Sequence, residues 1–70
     1  MKHRDLIKKI RDAAKGKGIP FQKQRQKGSH ERWVCGSTPV TIPKHSEVNE
    51  LTAEGICKSL EGELGEGWWR

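Results

Sequence analysis

Tyrosine is absent from this 70-residue chain, phenylalanine and methionine occur once each, and cysteine occurs twice. Leucine, isoleucine, valine and phenylalanine together number thirteen. So few large apolar side chains exclude an extensive core. A chain of about 60 residues buries only about 60% of its unfolded surface, so one small domain over residues 1–70 is expected, of marginal stability and strengthened by anything that binds its folded form. No apolar run approaches the roughly 18 residues that a membrane span needs, so no membrane partner is expected. Cys35 and Cys57 lack the C-x-x-C spacing of zinc or redox motifs. They read as two free, packed thiols, with no metal and no cofactor, in a chain of cytoplasmic type. Met1-Lys2-His3-Arg4-Asp5 leads into an amphipathic segment and not into the apolar stretch of a secretory leader.

Acidic residues are scarce at one end only. Residues 1–32 carry eleven lysines and arginines against three acids, whereas residues 33–70 carry three against six glutamates. This asymmetry points to a half that binds a polyanion and a half employed otherwise. Three acids are too few for the clustered carboxylates of two-metal nuclease chemistry.

Leu6, Ile7, Ile10, Ala13 and Ala14 recur with helical spacing, so an amphipathic helix is expected over about 3–15, ended by Gly16-Lys17-Gly18. His3 reads as a solvated residue at its start. Residues 21–26 read as a first strand with Phe21, Lys23 and Arg25 on one side, and Gly28-Ser29 as a short turn. Residues 30–35 read as a second strand, with Trp33 and Cys35 on one face and His30, Arg32 and Val34 on the other. Residues 36–39 suit a hairpin turn and residues 40–42 a short third strand. A polar connection over 44–51 then leads to Thr52 as N-cap of a last helix, carried by Ala53, Ile56, Cys57, Leu60 and Leu64. Gly55 and Gly62 weaken that helix by roughly 1 kcal/mol each. Trp68 and Trp69 either fold back on the core or anchor a partner. The expected class is α+β, an α-β-β-β-α chain with a three-stranded antiparallel sheet and two helices on one face.

His30 is the residue best suited to chemistry. Histidine exchanges a proton near neutral pH, and here it follows a basic run and a Gly-Ser turn. RNA carries its own nucleophile, the 2′-hydroxyl. A base removes that proton, an acid protonates the leaving 5′ oxygen, and cations stabilise the charge that builds on the phosphoryl oxygens. His30 can act as base or acid. Lys23, Arg25, Lys27 and Arg32 can hold phosphate, and the backbone at Gly28 and Ser29 permits close approach. His45 reads as a strand-end histidine that shapes the turn, with a second acid–base group as the alternative. Glu31, next to His30 in the chain, is expected to raise its pKa.

The ordered motifs resemble those of the HicA family of bacterial mRNA interferase toxins over nearly the whole chain. Met1-Lys2-His3-Arg4-Asp5-Leu6-Ile7-Lys8 resembles the family's first helix. Gln26-Lys27-Gly28-Ser29-His30 is similar to its Gly-Ser-His turn, and Val40-Thr41-Ile42-Pro43-Lys44-His45 to its Val-Thr-Val-Pro-x-His strand end. His3 stands where a small capping residue is usual. The resemblance implies a double-stranded-RNA-binding-domain-like fold, endoribonuclease activity on mRNA with His30 as catalyst, and a HicB-type antitoxin as protein partner. A non-catalytic RNA-binding module, or an interaction subunit of an antitoxin complex, is the alternative.

Overall fold

The computed structural model describes residues 1–70. The order is α1 (His3–Gly16), β1 (Phe21–Lys27), β2 (His30–Cys35), β3 (Thr38–Pro43), α2 (Glu50–Ser59) and a short α3 (Glu61–Leu64). The strands form one antiparallel sheet in the order β1-β2-β3. The helices contribute to a cluster of fourteen buried residues against one sheet face, and the other face has no helix over it. No helix is long and apolar enough to cross a membrane.

Helix α1 buries Leu6, Ile7, Ile10 and Ala14, the stripe expected from its spacing. It ends in a Schellman arrangement: Gly18 takes φ +69°, and the amides of Gly18 and Ile19 donate to the carbonyls of Lys15 and Ala14. Ile19 then packs against the core. Both hairpins close with a Gly-Ser pair whose glycine has positive φ, +59° at Gly28 and +62° at Gly36, the sign pattern of a type II′ turn. The second hairpin is thus tighter than residues 36–39 suggest, and β3 begins at Thr38. The Ser37 and Thr38 hydroxyls donate to Glu63 and strap this turn to α3.

The last helix differs from expectation at both ends. Its N-cap is Asn49, whose side chain accepts from the amides of Leu51 and Thr52, so the helix starts ahead of Thr52. It also breaks at Leu60. The Ser59 hydroxyl donates to the Ile56 carbonyl at 2.6 Å, a local bond that competes with the helical ladder, and Gly62 follows in α3. Trp68 folds back, donating its indole N–H to the Cys57 carbonyl at 2.9 Å, and Trp69 packs beside it. Val48, within the polar connection, is buried.

One buried group is charged. Glu31 is 3% exposed, and its carboxylate accepts from His3 Nε2 at 2.6 Å, Trp33 Nε1 at 3.1 Å and Lys23 Nζ at 3.4 Å. His3 is therefore half-buried and paired, not solvated as its position suggests. Trp33 itself lies stacked on Phe21, ring centroids 4.6 Å apart, and the Arg11 guanidinium lies over its ring at 6.0 Å. Burial pushes the Glu31 carboxyl up, but the hydrogen bonds from His3, Trp33 and Lys23 outweigh it and hold the group below its ordinary 4.5.

Because the folded pKa is depressed, the stability Glu31 contributes is complete above about pH 4.5 and is lost as pH falls through the lower folded value. Thermal melts between pH 7 and pH 3 should show that loss, and Glu31→Gln should flatten it. Glu31→Ala leaves the buried Trp33 N–H without a partner and should cost about 1–3 kcal/mol in urea unfolding. An unchanged midpoint would show that the carboxylate does not hold the fold.

Candidate functional site

The open sheet face carries a cleft of about 470 Å³ lined by Arg25, Lys27, Gly28, Ser29, His30, Arg32 and Thr41, none of them apolar. All seven are exposed. The cleft forms because of strand register. A two-residue turn at Gly28-Ser29 pairs Lys27 directly with His30, and the next pair in phase on this face is Arg25 with Arg32. The second hairpin sets Thr41 opposite Arg32 and Pro43 opposite His30. Lys44 donates its amide to the Ser29 carbonyl, which ties the turn to the segment leaving β3.

A β-bulge decides which cations reach the site. The β1–β2 register shifts between Lys23 and Arg25, leaving Gln24 as the extra residue. On one side of the bulge, Phe21 and Lys23 lie opposite Cys35 and Trp33 on the helix-covered face. On the other side, Arg25 and Lys27 lie on the open face. Simple alternation groups Phe21, Lys23 and Arg25 together, and the bulge overturns that grouping. Lys23 thus leaves the expected phosphate-binding set: its ammonium reaches Glu31 and Gln26 instead.

Of the residues that the sequence singles out, His30, Arg25, Lys27, Gly28, Ser29 and Arg32 come together, while Lys23 does not. His45 is exposed and lies outside the cleft lining. Glu31, expected to act on His30, faces the opposite side of the sheet in the bonds described above. The alternation of Glu31 with Trp33 and Cys35 carries that placement in the sequence itself. Thr41 is the lining residue not anticipated; its signal is the apolar pair Val40 and Ile42, which leaves Thr41 pointing away from the core.

Family models, curated proteins and solved structures yield no match to this chain. The site is therefore read from its own electrostatics. Arg25, Lys27 and Arg32 take part in no ion pair, although six other pairings occur in the molecule. Arg25 and Arg32 stand directly across the strands from one another. Like charges so placed destabilise a sheet by roughly 0.2–1 kcal/mol. An anion lying over the pair removes that repulsion. No group of three or more histidine, cysteine, aspartate or glutamate side chains is arranged to hold a metal ion.

Arg25→Gln and Arg32→Gln should therefore raise the melting temperature slightly while weakening RNA binding. With a single-stranded RNA probe, each should make the log–log salt dependence less steep by about 0.7. Lys23→Gln should leave the salt slope unchanged. Equal effects from Lys23 and Arg25 in fluorescence-anisotropy titrations would show that RNA does not follow the open face.

Proposed function

We propose that the chain is an endoribonuclease of the HicA type, which cleaves mRNA without a metal ion by using His30, and that a HicB-type antitoxin restrains it. On this reading the α-β-β-β-α chain is a double-stranded-RNA-binding-domain-like fold working in the cytoplasm. The observation that carries the proposal is a histidine set among three unpaired cations on a sheet face with no helix over it. His30 is the one imidazole in that lining, and histidine is the side-chain type suited to proton transfer.

A phosphodiester placed over Arg25, Lys27 and Arg32 brings either its 2′-hydroxyl or its leaving 5′ oxygen toward the His30 imidazole. As the 2′ oxygen bonds to phosphorus, the bond to the 5′ oxygen breaks. Neutral His30 takes the 2′-hydroxyl proton while water protonates the departing oxygen, or protonated His30 protonates the departing oxygen while water takes the 2′-hydroxyl proton. The guanidinium groups stabilise the negative charge that grows on the phosphoryl oxygens. Thr41 offers a hydroxyl to the same substrate from β3. The face that attracts phosphate also attracts an acidic protein surface, so one partner blocks RNA entry and His30 together. Such a partner also stabilises a fold with so small a core.

His30→Ala should keep its circular dichroism and lose RNA cleavage by about 10²–10⁴-fold, the range for general acid–base help. Cleavage by the unaltered chain should persist in EDTA and be absent on DNA of the same sequence. Wild-type rates in a folded His30→Ala protein would sink the assignment. Tight RNA binding without cleavage by the unaltered chain would support the non-catalytic module instead.

A further inference from the structure

A second polar cleft of about 300 Å³ lies outside the site, lined by Lys2, His3, Arg4 and Ser46. The chain itself connects it to His30. Pro43 pairs with His30, the Lys44 amide donates to Ser29, the Ser46 carbonyl accepts from the His3 amide, and Lys2 bridges to Glu47. Only Lys44 and His45 lie between Pro43 and Ser46, three Cα–Cα steps that span at most about 11 Å when extended. Both clefts therefore sit at the same end of the sheet, close enough for one nucleic-acid strand to occupy them together. Lys44 and His45, both exposed, lie along the path between them.

The charges at this second cleft are available. Lys2 and Arg4 are exposed, and neither side chain takes part in a hydrogen bond or ion pair. Glu47, which follows Ser46 and bridges to Lys2, is held by the Met1 ammonium at 2.7 Å, so its repulsion of an anion is offset. His3 is committed to Glu31 through Nε2 and forms a fixed wall. What remains facing solvent is an ammonium, a guanidinium and the Ser46 hydroxyl, a set suited to a phosphodiester oxygen.

We infer that Lys2, Arg4 and Ser46 form a second phosphate subsite for the same RNA strand, away from the phosphodiester at His30. This rests on the ribonuclease reading of the His30 cleft and extends it: the substrate is a strand several nucleotides long, gripped on both sides of the sheet end. The subsite holds substrate and takes no part in bond breaking.

The test uses 2′-O-methyl hexauridylate and the 2′-O-methyl dinucleotide, which lack the nucleophile and stay intact on the unaltered chain. Lys2→Gln/Arg4→Gln should make the salt slope for the hexamer less steep by about 0.7, the loss of one single-strand phosphate contact. Dinucleotide binding should not change. Arg4→Lys, which keeps the charge, should retain the slope. A thermal melt checks folding, which neither exposed side chain supports. An unchanged hexamer slope in the folded double variant, while Arg25→Gln and Arg32→Gln still lower it, overturns the second subsite alone. Equal loss for hexamer and dinucleotide also overturns it, since a dinucleotide over His30 does not reach Lys2 and Arg4. If no variant alters the slope, or the unaltered chain binds neither oligomer, the RNA reading and this inference fall together.

Discussion

A carboxylate taken out of water must be paired, and the rest of this small structure is arranged around that requirement at Glu31. Its three donors come from three elements: His3 at the start of α1, Lys23 on β1 and Trp33 on β2 itself. The bonds hold the helix start against the sheet, draw Lys23 to the covered face and orient the indole that Phe21 stacks on and Arg11 lies over. Because side chains alternate along a strand, seating Glu31 inward sends His30 and Arg32 outward. Fourteen buried apolar residues are few. Truncating a large one such as Ile42 or Leu60 to alanine typically costs about 2–5 kcal/mol, a large share of the usual 5–15 kcal/mol total.

The charge asymmetry has a structural form. Most of the acids are employed: Glu31 in the core network, Glu47 and Glu50 on the Met1 ammonium, Glu54 with Lys58, Glu61 on the Gly67 amide and Glu63 on the second hairpin. The cations of the open face have no such duty. An excess of positive charge is thus concentrated where no helix packs, and long-range attraction of a polyanion follows from the fold without any specific contact.

The layout was legible because its cues are local. The apolar period of α1, the two Gly-Ser pairs and the alternation in residues 30–35 each act over a few residues and agree with one another. Six of the seven lining residues follow from those cues. The failures arise where a distant partner decides. The pairing of His3 with Glu31 depends on where a helix docks, which no local period contains. The departure of Lys23 depends on a bulge: Phe21 and Lys27 have equal parity, yet one is needed at the aromatic stack and the other opposite His30. Only an unpaired residue between them satisfies both. The helix start at Asn49 was obscured by Thr52, also a capping residue by type.

That same Gln24 bulge has an evolutionary consequence. In an ordinary strand, inserting one residue turns every following side chain over, so a binding surface and a core cannot drift separately. Here the strand is divided into two halves with independent facing. Substitutions at Arg25 and Lys27 change the open face without disturbing the Phe21 stack, and repacking at Phe21 leaves the outer half in register. One strand thus answers to two sets of constraints, packing on its first half and solvent exposure on its second.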